Sequence, residues 1–136
     1  MKTKVKKRTW IALLNLLFLF TAINAQPVRQ HLHEGWNFRQ ARGTNWYEAT
    51  VPGTVHTDLM DNKLIDDPFY RLNERGVQWV DKEDWIYRTT FDVTPELLAK
   101  KNIVLHFEGL DTYADVTLNG KKILSADNMF CEWQVD

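Results

Sequence analysis

The chain has 136 residues, of which 44% are hydrophobic and 26% are charged, and its formal net charge is −1. This length and composition indicate one globular domain and exclude a disordered tail. The chain therefore lacks the strong positive charge that favours binding to nucleic acid or to an anionic membrane surface.

Residues 1–25 have the order of a secretory signal peptide. Residues 1–8 contain five Lys and Arg, an eleven-residue apolar run covers residues 10–20, and the segment ends with the small residue Ala25. The apolar run is shorter than the roughly 20 residues that a membrane-spanning helix needs. We therefore predict cleavage before Gln26, a secreted or periplasmic product, and no membrane association after cleavage. The alternative is a buried or anchoring N-terminal helix.

Removal of this segment makes the remaining domain, residues 26–136, acidic. The segment holds five of the 17 Lys and Arg and none of the 18 Asp and Glu, so 12 basic residues remain against 18 acidic ones, a formal net charge of −6. We therefore expect no nucleic-acid partner. The single cysteine, Cys131, excludes an intramolecular disulfide even in an oxidising compartment.

Two short strands and a helix are predicted in the first part of the domain. Residues 36–41 and 47–52 each favour a short strand, and the second ends at a Pro-Gly turn. Residues 54–65 predict a short helix, because their apolar residues have near-helical spacing behind the potential N-cap Thr54.

Residues 84–93 give the clearest strand of the chain. Their side chains alternate, so that Trp85, Tyr87 and Phe91 share one face. This face should pack into the core of a sheet protein.

The last third of the chain predicts a helical turn and a hairpin. Thr94 can cap one helical turn that starts at Pro95, and residues 102–109 then resume the alternation of a strand. Residues 109–123 form a hairpin pattern, in which Asn119-Gly120 supplies the two positive-φ positions of a type I′ turn.

Strands about ten residues apart, separated by turn signals and without a βαβ rhythm, indicate an antiparallel all-β sandwich or jelly roll. Residues 128–136 alternate as a strand that is cut short. We therefore expect the sandwich to be incomplete at its C-terminus and residues 26–136 to be a truncated domain.

Several motifs resemble the N-terminal sugar-binding domain of glycoside hydrolase family 2, which has a galactose-binding-like fold. The broad family pattern is matched by Trp85-x-Tyr87-Arg88 and by "LHFEGLDTYADVTLNG" (residues 105–120). "VPGTVHTDL" (residues 51–59) together with "DDPFYRLNE" (residues 66–74) is closer to the β-mannosidases of this family. The resemblance extends from about Trp36 to the end of the chain.

The resemblance implies a retaining enzyme that removes terminal β-mannose from oligosaccharides. Such an enzyme needs two carboxyl groups about 5–5.5 Å apart. In the family both are glutamates on a (β/α)₈ barrel, which follows the sugar-binding and immunoglobulin-like domains and alone needs roughly 250 residues. The sequence stops at Asp136. The resemblance thus implies no catalytic residue in this chain and makes a β-mannoside oligosaccharide, the immunoglobulin-like domain and the barrel its expected partners.

Two alternatives to this function remain. One is another exo-glycosidase of the same family, such as a β-galactosidase or β-glucuronidase. The other is a stand-alone carbohydrate-binding or structural β-sandwich module, because a fold alone does not determine a function.

Acidic clusters in the chain are expected to be solvated rather than catalytic, because none has a reason to keep one member desolvated. They are Asp58 with Asp61, Asp66 with Asp67, and Asp81 with Glu83 and Asp84. We also expect no cofactor and no metal site. The nearest histidine pair, His31 and His33, suits an exposed tail, and "DNKLIDDPF" lacks the glycine and glutamate of a calcium loop.

Asn73 is the candidate substrate-binding residue. The resemblance places it where a loop asparagine of related enzymes touches the sugar, and a side-chain amide can both donate to and accept from hydroxyls. The alternative is that Asn73 only shapes the loop. Aromatic side chains that can stack on a pyranose are a second set of candidates, although Trp85 and Tyr87 are better explained as core. This set comprises Trp46, Trp79, Trp85, Tyr87 and Trp133.

Overall fold

The computed structural model describes residues 27–136, so the predicted signal peptide lies outside the described residues. This part of the chain is mostly antiparallel β-structure with two short helices, as predicted. The strands are β1 (Asn37–Gln40), β2 (Tyr47–Glu48), β3 (Trp85–Arg88), β4 (Leu105–Phe107), β5 (Ala114–Leu118), β6 (Lys121–Ala126) and β7 (Trp133–Val135). The helices are α1 (Val55–Asp61) and α2 (Pro95–Leu98), and 3₁₀ turns cover Asn73–Gly76 and Val80–Lys82.

The strands form one three-stranded sheet and two ribbons. The sheet has the order β2-β1-β3, and Phe38 lies opposite both Tyr47 and Tyr87 in its antiparallel register. One ribbon pairs β4 with β7, where Leu105 faces Val135, and the other pairs β5 with β6. The predicted strand near the end of the chain is therefore present as β7.

The hairpin β5–β6 has the predicted turn. Asn119 and Gly120 have φ angles of 51° and 80°, so both positions are in the left-handed region that a type I′ turn requires. Glycine and asparagine are the residues that reach this region at least cost, which explains why the local sequence predicts the turn.

Helix α1 starts where predicted and ends four residues earlier. Thr54 Oγ1 accepts from Thr57 N (3.3 Å) and Thr57 Oγ1 accepts from Thr54 N (3.1 Å), which forms a capping box. Lys63 has a φ of 57°, and the Lys63 and Leu64 amides donate back to Met60 O and Leu59 O. These bonds form a Schellman motif, which ends the helix.

Strand β3 ends at Arg88, whereas the sequence predicts a strand to residue 93. The neighbouring strand β1 starts at Asn37, the partner of Arg88, so no ladder bonds are available farther on. Beyond this point the chain contacts the N-terminal segment instead, because Thr89 Oγ1 donates to Glu34 O (3.1 Å). Phe91 consequently lies outside the core and is exposed, contrary to the prediction.

The core lies between the sheet, α1 and the segment that precedes β3. Phe38 is fully buried, and its ring centroid lies 5.5 Å from that of Tyr87 and 5.8 Å from that of Trp85. The core placement predicted for Trp85 and Tyr87 is therefore confirmed. The other buried members of this cluster are Leu59, Val77 and Val80.

Candidate functional site

Asp58, on α1, is the buried polar residue of the core and is only 1% exposed. Thr50 N donates to its Oδ1 (2.8 Å) and Tyr87 Oη donates to its Oδ2 (2.7 Å). The expectation that this acid is solvated is wrong. Val55, Asp58, Leu59 and Asn62 lie at the i, i+3, i+4, i+7 positions of one helix face, and this spacing is the sequence signal for burial that the charge of Asp58 obscures.

The hydrogen bond between Tyr87 and Asp58 makes both groups structural. Burial raises the pKa of Tyr87 far above its ordinary value, and the hydrogen bond to Asp58 and the negative charge of Asp58 raise it further. The phenol therefore remains a donor at neutral pH. Both oxygens of Asp58 are occupied by donors of this chain, so this carboxylate is not placed to attack or protonate a substrate.

The loop that carries Asn73 is held by a set of short hydrogen bonds around Asp67. Phe69 N donates to Asp67 Oδ1 (2.9 Å), and Tyr70 N donates to Asp67 O (3.1 Å). Asn73 Nδ2 donates to the same carbonyl, Asp67 O, at 3.0 Å. The loop is thus closed by its own polar groups, while the Phe69 side chain is 95% exposed.

The two polar atoms of the Asn73 side chain therefore differ in their contacts. Its Nδ2 shapes the loop, as the alternative interpretation expects, and its Oδ1 makes no hydrogen bond with a described residue. The residue is half-buried at the start of a 3₁₀ turn. One acceptor of Asn73 is consequently free for an external donor, such as a sugar hydroxyl.

A cleft of about 420 Å³ lies beside Asn73. One wall is the segment that follows α1, and the other is the segment from Leu72 to Trp79. This volume lies in the range of roughly 300–1,000 Å³ in which small-molecule sites occur. The lining residues are Lys63, Leu64, Ile65, Asp66, Leu72, Asn73, Gly76, Val77 and Trp79.

Trp79 is the aromatic residue of this cleft. It is 40% exposed, and its ring centroid lies 5.9 Å from that of the core residue Trp85. Trp46, by contrast, is covered by arginine, because Arg88 Cζ lies 3.6 Å from its ring centroid and Arg39 Cζ lies 5.0 Å away. Of these two indoles, only Trp79 has free surface in a cleft.

A second cleft, of about 350 Å³, lies between the N-terminal segment and the residues after β3. Gln30 Nε2 donates to Asp92 O (2.7 Å), whereas Gln30 Oε1 is buried without a hydrogen-bond partner. The rings of His31 and His33 lie 5.2 Å apart at its rim.

Other functional groups in residues 27–136 are dispersed. Within these residues, no group of three or more His, Cys, Asp and Glu side chains is arranged to hold a metal ion. The helices in the same residues are too short and too polar to cross a membrane. Among the acidic clusters noted in the sequence, Asp58 is buried and Glu83 is half-buried. The remaining acids are exposed: Asp61, Asp66, Asp67, Asp81 and Asp84.

Comparison with known proteins gives the same family for most of the domain. Residues 36–136 match the family described as "Glycosyl hydrolase 2 galactose-binding domain-like". The chain is 45% identical over 112 residues to beta-mannosidase B of Emericella nidulans. This match covers 79% of this chain and 13% of that protein. It is 44% identical over 108 residues to beta-mannosidase B of Thermothelomyces thermophilus, with 77% and 12% covered.

A solved structure shows the same similarity. The crystal structure of β-D-mannosidase from Dictyoglomus thermophilum matches with a TM-score of 0.74 and 52% sequence identity, over 76% of this chain and 13% of that chain. The fold is therefore that of a galactose-binding-like β-sandwich domain, which confirms the predicted fold class. The chain belongs to glycoside hydrolase family 2 and carries its N-terminal domain. It spans about 13% of the length of these relatives.

Proposed function

We propose that this domain is the N-terminal part of a secreted, retaining β-mannosidase, which hydrolyses terminal non-reducing β-D-mannose residues of oligosaccharides. The observation that carries the proposal is the 52% identity to a β-D-mannosidase over 76% of the chain. It favours β-mannosidase over the other exo-glycosidases of the family.

The catalytic pair of this enzyme lies outside residues 27–136 in our proposal. Retaining hydrolysis needs a nucleophile and an acid/base about 5–5.5 Å apart, and the acid must be kept protonated by its surroundings. Asp58, the buried acid, has both oxygens hydrogen-bonded within the core. We therefore assign catalysis to two glutamates of a barrel domain, with an immunoglobulin-like domain between that barrel and this one.

The domain contributes substrate binding through Asn73. Its Oδ1 accepts a hydrogen bond from a sugar hydroxyl, while its Nδ2 keeps the loop closed on Asp67 O. A loop that is already held by hydrogen bonds loses little entropy when it binds, which increases affinity.

Secretion follows from the N-terminal pattern. The basic, apolar and small-residue order of residues 1–25 directs export, and the mature protein starts at Gln26. Intact-mass measurement of the exported protein tests this step, because retention of residues 1–25 would contradict it.

The enzyme activity is tested on the complete reading frame that contains this chain. The purified product is incubated with an aryl β-mannoside, which releases a single mannose, and the anomeric protons of that mannose are followed by NMR. We expect release of mannose with the β-anomer formed first, because the reaction retains the configuration. Initial formation of the α-anomer would exclude a retaining mechanism, and absence of mannose release would contradict the proposed function.

A further inference from the structure

The turn between β5 and β6 holds the only asparagine of the sequence that is followed by glycine, Asn119 before Gly120. Both residues are exposed, and their φ angles of 51° and 80° are positive. A methyl group at Gly120 would meet no atom within 4 Å, so the space around this residue is open. Solvent therefore reaches the peptide bond between Asn119 and Gly120.

The two groups of this turn that react in asparagine deamidation make no hydrogen bonds within residues 27–136. The Asn119 side-chain amide has no partner there, and the Gly120 backbone N–H donates to none of these residues. The neighbouring ladder pair is Leu118 with Lys121, which leaves both turn residues outside the ladder. The Gly120 nitrogen is thus available as a nucleophile.

The tip of this hairpin is held by two residue pairs. They are Thr117 with Lys122 and Leu118 with Lys121, and a β-bulge in β6 separates them from the rest of the ribbon. All four side chains are exposed, and the ion pair of Lys122 with Asp115 (2.7 Å) is exposed as well, so it adds little stability. With so few buried contacts, the tip can open locally while the remaining pairs stay closed.

We propose that Asn119 is a site of spontaneous deamidation in the complete protein. When the tip opens, the Gly120 nitrogen loses its proton to hydroxide and attacks Cγ of Asn119. A new C–N bond closes a five-membered succinimide, while the side-chain nitrogen takes up a proton from water and leaves as ammonia. Water then opens the ring at either carbonyl. The products are aspartate and isoaspartate, in which the main chain runs through Cγ.

The sequence favours this reaction, and the closed turn slows it. Glycine at position 120 has no side chain to hinder the approach of its nitrogen to the amide carbon. A type I′ turn, however, fixes the backbone on both sides of the reacting bond. The reaction therefore proceeds from the open tip, and its rate reports how often the tip opens.

The two products should affect the hairpin differently. Asp-Gly also forms type I′ turns, so aspartate at position 119 preserves the turn. Isoaspartate adds one methylene group to the main chain of a two-residue loop, and loop length sets the register of a hairpin. Accumulation of isoaspartate should therefore weaken the pairing of β5 with β6.

The test is peptide mapping of the complete protein after incubation at neutral and at mildly alkaline pH. Mass spectrometry detects conversion of the amide to a carboxyl group, and enzymatic methylation quantifies isoaspartate. We expect conversion at Asn119 to be at least several-fold faster than at Asn102, which is also exposed but precedes the β-branched Ile103. Isoaspartate should exceed aspartate, and the rate should rise with pH because the attacking nitrogen must lose a proton.

Asn119→Gly is the matched variant, because Gly-Gly also forms a type I′ turn but has no side-chain amide. It should lose the modification at this position and keep the circular dichroism spectrum of the unsubstituted protein. Incubation in urea, which unfolds the hairpin, should accelerate conversion of Asn119. Conversion of Asn119 no faster than that of Asn102 in the folded protein would overturn the proposal, and equal rates in urea and in the folded protein would overturn the requirement for opening.

Discussion

The Tyr87 hydroxyl donates a 2.7 Å hydrogen bond to Asp58 Oδ2 and so joins β3 to α1 across the core. Thr50 N occupies the other oxygen of Asp58, at 2.8 Å. Both oxygens of this buried carboxylate are therefore satisfied by neutral donors of the chain. A buried acid with these partners is a structural element, and its loss should be seen in stability.

Tyr87→Phe is expected to lower the free energy of unfolding by about 1–3 kcal/mol, because it leaves a buried carboxylate oxygen without its donor. Urea denaturation of both proteins measures the difference. Tyr113→Phe is the matched control, since Tyr113 is 84% exposed and its hydroxyl makes no hydrogen bond to any residue in 27–136. Equal effects of the two substitutions would show that the Tyr87 hydroxyl does not stabilise the fold.

Alkaline pH should weaken the same contact. The pKa of Tyr87 is raised in the folded protein above its ordinary value of 10.0, chiefly by burial. The folded state therefore binds more protons than the unfolded state above about pH 10, and the free energy of unfolding falls as the pH rises through that value. Below it, the contribution of Tyr87 is constant.

Denaturation at pH 8 and at pH 11 measures this effect. The stability difference between the unsubstituted protein and Tyr87→Phe should shrink at the higher pH, because only the unsubstituted protein has a buried phenol to ionise on unfolding. A difference that stays constant or grows would contradict the assignment.

Gly120→Ala should destabilise the β5–β6 hairpin by about 1–2 kcal/mol, since an L-residue is strained in the left-handed region. Gly120 has a φ of 80°, and a methyl group there would meet no atom within 4 Å, so the cost is one of backbone conformation. Gly76 is the matched control, because it also has free space and lacks a positive φ. Thermal melts of both variants compare them, and a Gly76→Ala variant as destabilised as Gly120→Ala would argue against backbone strain.

Asn73→Ala is expected to lower kcat/KM for an aryl β-mannoside by about tenfold in the complete protein, because it removes one hydrogen bond to the substrate. Asp67→Ala is the control for loop shape. It removes the Asp67 side chain that accepts from Phe69 N but retains the carbonyl that accepts from Asn73. A larger loss of kcat/KM in Asp67→Ala than in Asn73→Ala would show that loop shape, rather than sugar contact, explains the effect of Asn73.

Local signals account for the features that the sequence predicts correctly. The Asn119-Gly120 turn, the Thr54 cap and the core face of β3 depend on residues that are adjacent or alternate along the chain, so a sequence pattern is sufficient to identify them.

The features that the sequence did not reveal depend on distant contacts. Strand β3 ends at Arg88 because β1 begins at its partner Asn37, and nothing near Arg88 in the sequence indicates this end. Asp58 is buried because Thr50 and Tyr87 supply donors from other elements. The cleft likewise combines two separate segments of the chain. The sequence identifies Asn73 through family resemblance and Trp79 as an aromatic candidate, but nothing in it indicates that the two residues line one cleft.

The ratio of kcat/KM for an aryl β-mannoside to that for the corresponding aryl β-galactoside tests the central claim most directly. It is measured on the purified product of the complete reading frame, with the aryl β-glucuronide as a third substrate. We predict a preference for the β-mannoside of about 100-fold or more over both, because a site that hydrogen-bonds particular sugar hydroxyls discriminates strongly against misplaced ones. Equal values, or a preference for the galactoside or the glucuronide, would contradict the assignment to a β-mannosidase.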